Sequence, residues 1–307
     1  MDLLREAVRR GKEVTVVLEL KARFDEEVNI NWAEQLESIG VQVLYGVVGL
    51  KTHAKMMLVT RREGRHFRRY AHLSTGNYNP VTARFYTDLS HLTADVALTA
   101  DIEHVFVHLA GQSRLPRLKH LWVAPFQLHR KLLEKIESLG AAAAAGQPAR
   151  LVAKMNALTD EALIRALIAA SRQGVKIDLI VRGACMLPAQ LPRQTHNIRV
   201  RSIIGRFLEH ARVFYFRAGE AEELYLSSAD WMNRNMLRRV ELAWPVLDPQ
   251  LRQRIVDECL VAAMGDSQGS WELRPDGRYA RVTPDAGRPV LSAQDALMAR
   301  YALREIH

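Results

Sequence analysis

Cysteine is nearly missing from this 307-residue chain, which has only Cys185 and Cys259. Two thiols argue against a disulfide framework and against a thiolate metal site. No apolar run approaches the roughly 20 residues that cross a bilayer. The first residues, MDLLREAVRRGKEV, are amphipathic and charged, without the apolar core of a signal peptide. Acidic charge is also scarce: 34 Asp and Glu stand against 43 Lys and Arg, a net charge of +9 that favours anionic ligands. A hydrophobic share of 48% and a charged share of 25% suit a soluble globular protein, and 307 residues can bury one large core or, more readily, form two domains. The expectation is a cytoplasmic enzyme.

Against these absences stands a duplication. His53-Ala54-Lys55 precedes Ser74-Thr75-Gly76-Asn77, and His210-Ala211-Arg212 precedes Ser227-Ser228-Ala229-Asp230. Side chains at i and i+2 of a strand share a face, so each histidine points the same way as its cation. Upstream, VTVVLEL runs into Arg23, 30 residues before His53, and KIDLIV runs into Arg182, 28 residues before His210. Each copy reads as strand, arginine, intervening segment, strand with H-x-[KR], strand and polar turn. Repetition of functional positions points to two related lobes around one site.

The residue types suit phosphoryl transfer. Neutral imidazole is nucleophilic near neutral pH, with a reference pKa of about 6.5. The transfer itself asks mainly for positioning and charge neutralisation. Lys55, Arg23, Arg182 and Arg212 offer the charge, the guanidinium forks matching phosphate oxygens. His210 either moves a proton or donates a hydrogen bond in the transition state. Asn77 and Asp230 orient the imidazoles, cap phosphate oxygens or simply shape their turns. His72 is either a support for His53 or a packing residue.

The element order is alternating. Leu3 to Gly11 reads as a helix end and VTVVLEL as a strand, followed by a polar turn ARFDEEVN. Asn31 to Ile39 is helical, closed by Gly40, and VQVLYG is the next strand. AKMMLVT and FRRYAHL form a hairpin around Arg62-Glu63-Gly64, and Ala94 to Leu109 is a helix. A boundary near Leu118 to His120 divides the chain into 1–119 and 120–307. Beyond it come the helix HRKLLEKIESLG, a small-residue turn AAAAAGQPAR, the strand RLVAKM and a helix from Asp160 to Gln173. KIDLIV, IRVRSI, ARVFYF and ELYLSS are strands, and SAQDALMARYALREI closes the chain as helix.

These stretches resemble the carboxy-terminal half of the histidine-phosphorylating bacterial polyphosphate kinases. LKARFDEEVNINWAEQLESIGVQVLYG, GLKTHAKM, YAHLSTGNYNPVTARFYTDLS, VAKMNALTD, GVKIDLIVRGAC and GRFLEHARV carry the likeness, which covers most of residues 1 to 245. The resemblance implies an α/β fold of the phospholipase D kind: two related lobes, mixed β-sheets flanked by helices, with the active site at their junction.

By that resemblance His53 matches the nucleophile that takes the γ-phosphoryl group of ATP, and His210 matches the second histidine facing it. Arg182 and Tyr86 match positions that contact the nucleotide. Arg23 matches a magnesium–phosphate position; a guanidinium has no acceptor, so it would hold the phosphates that hold Mg2+. The implied ligands are ATP, ADP and inorganic polyphosphate, with no specific nucleic acid and no transmembrane segment; peripheral membrane association and a homo-oligomer are compatible with it. Full-length members also carry an amino-terminal domain and a head domain to which nothing in this chain corresponds. MLPAQLPRQ stands where the family usually has an arginine-proline-glycine turn. Two other readings remain: a phospholipase D-type phosphodiesterase, and a fragment that binds polyphosphate or nucleotide without turnover.

Overall fold

Two short parallel ladders place the histidines, one at the edge of the large sheet and one apart from it. The computed structural model describes residues 2–19, 26–111, 114–284, 287 and 289–302. The first lobe begins with α1 (Asp2–Arg9), β1 (Thr15–Val17), α2 (Glu26–Ser38) and β2 (Gln42–Leu44). β1 and β2 pair in parallel, which requires a crossover such as α2. Gly40, at φ 88°, turns the chain out of α2. The polar turn expected over ARFDEEVN does not extend through residues 26–29. Residues 26–29 belong to α2; residues 22–25 lie outside the described residues.

β3 (Lys51–Thr52) leads into His53. β4 (Met56–Glu63) and β5 (His66–Ser74) form the expected hairpin, turning at Gly64, and after β6 (Tyr86–Thr87), β7 (Ser90–Thr93) adds to the far edge of β5. α3 (Val96–Leu109) follows, its N-cap Asp95 accepting from the Leu98 N–H at 2.8 Å.

The second lobe runs β8 (Trp122–Ala124), α4 (Leu128–Ala144), β9 (Ala149–Met155), α5 (Glu161–Arg172), β10 (Lys176–Val181), β11 (Ile198–Ile203), β12 (Leu208–Glu209), β13 (Arg212–Ala218) and β14 (Ala221–Ser227). Then come α6 (Asn233–Arg238), β15 (Arg239–Pro245), α7 (Pro249–Ile255), α8 (Ala262–Gly265), β16 (Ser270–Leu273), β17 (Tyr279–Arg281) and α9 (Ala293–Ala302). The large sheet has the order β17-β16-β11-β10-β9-β13-β14-β15-β3, with β8 also on β15. AAAAAGQPAR is not a turn throughout. Alanine is the best helix former, so α4 continues through Ala144, and the chain turns at Gly146. β8, β15, β16 and β17 were not read from the sequence. β15 is buried along Val240–Trp244, so it shows no alternation to mark it as a strand.

The lobes are related but unequal. β10 and β11 pair in parallel as β1 and β2 do, and β9 joins β10 to β13. Among the described residues of the first lobe no strand joins β1 to β4, so β1 and β2 stay a separate two-stranded sheet. One buried cluster includes Leu73, Leu98 and Ile102 together with Val152, Ile180 and Val213, so the two lobes share core.

Two ladders stitch lobe to lobe. β3 pairs with β15, Arg239 opposite Lys51 and Val240 opposite Thr52. β12 pairs with β6, Leu208 opposite Tyr86 and Glu209 opposite Thr87. Both are parallel, and both end immediately before a histidine.

Candidate active site

Extending each ladder by one residue puts His53 beside Glu241 and His210 beside Asp88. Parallel neighbours in register point to the same face, so imidazole and carboxylate meet. His53 Nδ1 lies 2.9 Å from Glu241 Oε2. His210 Nδ1 lies 2.9 Å from both Asp88 oxygens. Each histidine therefore takes its partner from the opposite lobe.

The supports repeat as well. Thr75 Oγ1 donates to Asp88 Oδ1 at 2.7 Å, and Ser228 Oγ donates to Glu241 Oε2 at 2.5 Å. Those hydroxyls accept from the N–H of Leu89 and of Leu242, at 3.0 Å in both lobes. One position earlier, Ser74 and Ser227 close the turn by accepting from the N–H of Gly76 and of Ala229. Gly76 is required by the approach of Asp88: a Cβ there would lie 2.0 Å from Asp88 Oδ2. Glu241 is fully buried and its Oε1 accepts from Asn235 Nδ2 at 2.6 Å. An ionised carboxylate only accepts, so Nδ1 of each imidazole carries the proton and Nε2 is left with its lone pair.

Cations surround this pair. Lys55, 7% exposed, donates to the His53 carbonyl at 2.5 Å. Arg212, 3% exposed, does the same to the His210 carbonyl at 3.0 Å and reaches Thr75 O at 3.2 Å. Its guanidinium also lies 3.1 Å from His210 Nε2. The fork is held by Asp230, with Nε and Nη2 at 3.2 and 3.0 Å from the two oxygens. Arg182 Nε donates to Asn156 Oδ1 at 3.1 Å, and the Asn156 N–H donates to Asp230 Oδ1 at 2.7 Å. The Tyr86 ring sits 4.9 Å from that of His210.

Burial dominates the titration of these groups. It holds both imidazoles below their ordinary pKa, against the opposing carboxylates, and the charge of Arg212 pushes both the same way. Lys55 is pushed down to about 7 by burial first, with Arg212 and Arg239 assisting and Glu241 opposing. Burial would raise Asp230, but the adjacent Arg212 prevails and holds it below the usual carboxylate value.

Residues 1–115 match the family model described as "Polyphosphate kinase C-terminal domain 1", and residues 121–294 match "Polyphosphate kinase C-terminal domain 2". The chain belongs to the polyphosphate kinase family. It is 53% identical over 305 residues to a polyphosphate kinase of Burkholderia cenocepacia (strain HI2424), covering 98% of this chain and 44% of that one. Identity to the polyphosphate kinase of Burkholderia vietnamiensis (strain G4 / LMG 22486) is 54% over the same shares. The crystal structure of polyphosphate kinase from Porphyromonas gingivalis superposes with a TM-score of 0.89 at 35% identity, over 98% of this chain and 46% of that one. The chain thus spans less than half the length of these polyphosphate kinases.

Of the residues singled out in the sequence, the structure gathers His53, Lys55, Tyr86, Arg182, His210, Arg212 and Asp230. Arg23 lies outside the described residues. Asn77 is exposed on its turn, while Asp230 at the matching repeat position is buried against Arg212. His72 bonds Tyr78 Oη at 2.8 Å on the hairpin. Asp88, Glu241 and Asn156 were missed, as was Arg239, which shares a face of β15 with Glu241. A signal existed for the first two: in TDL and VEL a carboxylate stands 13 residues after Thr75 and after Ser228, followed in both by a leucine.

Proposed function

We propose that this chain transfers the γ-phosphoryl group of ATP to inorganic polyphosphate, and back to ADP, through phosphohistidine at His53. The observation that carries this reading is the Glu241–His53 contact, which leaves Nε2 as a bare nucleophile inside a ring of cations. Residues 1–119 and 120–307 act as two lobes of one catalytic unit, because each supplies the carboxylate that orients the other's histidine.

His53 Nε2 attacks the γ-phosphorus, a nitrogen–phosphorus bond forms, and the bond to the β,γ-bridging oxygen breaks to release ADP. The ring gains positive charge as Nε2 is phosphorylated, and Glu241 at Nδ1 balances it. Lys55, Arg182, Arg212 and Arg239 neutralise the phosphate oxygens, which is most of what such a transfer requires. The terminal oxygen of a polyphosphate chain then attacks the same phosphorus and frees His53. His210, oriented by Asp88, serves the transferring group as a proton carrier or hydrogen-bond donor, and Tyr86 and Arg182 contact the nucleotide. Asn77, exposed on the turn after Ser74, is a further phosphate contact, and Arg23 holds phosphates that carry the metal.

Magnesium enters with the substrate, on the nucleotide phosphates. Asp88 and Glu241 are committed to imidazoles, and among the described residues no three His, Cys, Asp or Glu side chains gather as a metal site. Among the described residues no helix is long and apolar enough to cross a membrane. A cytoplasmic setting, where ATP is available, suits this reading.

The test is incubation of wild type and His53→Ala with magnesium and γ-labelled ATP, followed by acid and alkali treatment. Acid-labile, alkali-stable label that is absent from His53→Ala supports the reading. Polyphosphate binding without any label overturns it in favour of a non-catalytic binding role, and hydrolysis of a phosphodiester would favour the phosphodiesterase.

A further inference from the structure

Gln294 lies in α9, far from His210 in the chain, yet it is only 6% exposed. Its Oε1 accepts from the Phe207 N–H at 2.9 Å, and its Nε2 donates to the Phe207 carbonyl at 2.9 Å. An amide that satisfies both backbone groups of one residue stands in for a neighbouring β-strand. The second Nε2 hydrogen goes to Glu209 Oε1 at 2.7 Å. Gly205 leaves room for this, since a Cβ there would lie 2.5 Å from Gln294 Oε1.

The segment so held is the one that carries His210. β12 is two residues long and, among the described residues, pairs only with the two residues of β6, too little to be stable alone. Glu209 ties it further: its Oε2 takes Lys154 Nζ at 2.5 Å and Thr87 Oγ1 at 3.0 Å. Lys154 comes from β9, Thr87 from the first lobe and Gln294 from the end of the chain. α9 is itself anchored at its start, where buried Asp266 accepts from the Ala293 N–H at 2.8 Å while also holding Gly269 and Ser270.

We propose that Gln294 is a positioning residue that holds residues 207–209 so that His210 stays against Asp88 and Tyr86. This rests on the reading that His210 belongs to the transfer site. A purely structural clamp would change stability and leave the imidazole as it is. The groups facing His210 are Asp88 and Tyr86 from the first lobe and Arg212 and Asp230 from the second. Burial above all, and Arg212, lower its proton affinity, while Asp88 and Asp230 raise it. Releasing the segment lets water reach the ring, so its titration rises toward the ordinary histidine value.

Gln294→Met keeps the side-chain length and removes both polar ends. Gly205→Ala is the second variant, in which the new Cβ displaces the Gln294 amide. Histidine ring resonances of the full chain are followed by NMR across neutral pH, with His210 identified by its loss in His210→Gln. The expected result is a higher His210 midpoint in both variants and an unchanged His53 midpoint. The rate at which γ-phosphate label reaches His53 should fall about 10- to 100-fold. An unchanged His210 midpoint in either folded variant overturns the proposal, whatever the labelling shows. If wild type takes no label while the His210 midpoint still moves, the positioning role stands and the phosphotransfer reading falls.

Discussion

His53 Nδ1 lies 2.9 Å from Glu241 Oε2 across the junction of the lobes, although 188 residues separate them in the chain. Glu241→Gln keeps the size of this partner and removes its charge, so nothing fixes the imidazole with its proton on Nδ1. Labelling of His53 by ATP should slow by about 10²- to 10⁴-fold, the range seen when a histidine loses its orienting carboxylate. Rapid-quench measurement of the label checks this; a rate within a few-fold of wild type would show that Glu241 has no part in the transfer.

Gly76 matters for the other histidine. A methyl group there would meet Asp88 at 2.0 Å and push it from His210. Gly76→Ala and Asp88→Asn should therefore lower polyphosphate formation together, by about 10²-fold if His210 acts in proton transfer. Steady-state assays of the two variants compare them directly. Unequal effects would separate the turn from the histidine.

Transfer needs His53 neutral and Lys55 charged. With the His53 pKa below its ordinary value, the labelling rate should climb at a pH below the usual histidine range of about 6.5. It should decline above about 7, as Lys55 gives up its proton in the free protein. Lys55→Arg keeps the charge and should erase the falling limb of the pH profile.

The same lysine couples stability to pH in a defined direction. Its folded pKa of about 7 lies below its ordinary 10.5, so between these values the unfolded chain binds more protons. Its contribution to stability therefore becomes more favourable as pH rises through that window. Lys55→Met should raise Tm most below pH 7, with the advantage fading toward pH 10.5, the window set by the two values. Thermal unfolding at a series of pH values reads this out.

Arg212 and Asp230 form a buried, two-point ion pair. Arg212→Ala leaves Asp230 buried without its counter-charge and should cost about 3–5 kcal/mol in urea unfolding. Adding Asp230→Ala should recover part of that loss, because no unpaired charge then remains.

Much of this site was legible in the chain before folding. The duplication of H-x-[KR] and the Ser-rich turn marked both histidines and both cations, since strand alternation alone decides that i and i+2 share a face. The period-3.6 and period-2 patterns located α3, α5, the β4–β5 hairpin and the strands β10 and β11, though not their parallel pairing. Asp230 was marked too, but not its use: only the folded chain commits it to Arg212.

The partners of the histidines belong to a different kind of information. Asp88 and Glu241 share a spacing of 13 residues from Thr75 and Ser228, but local periodicity says nothing about which distant strand lies alongside. Their pairing follows from the register of β6 with β12 and of β15 with β3, ladders two residues long. Such ladders are too short to specify themselves; the packing of the shared core holds them in place. The sequence by itself determined two related lobes, each with a nucleophile-type histidine and a cation. Only the tertiary structure decided that each lobe would orient the histidine of the other, because that contact depends on register between chain segments that no local pattern records.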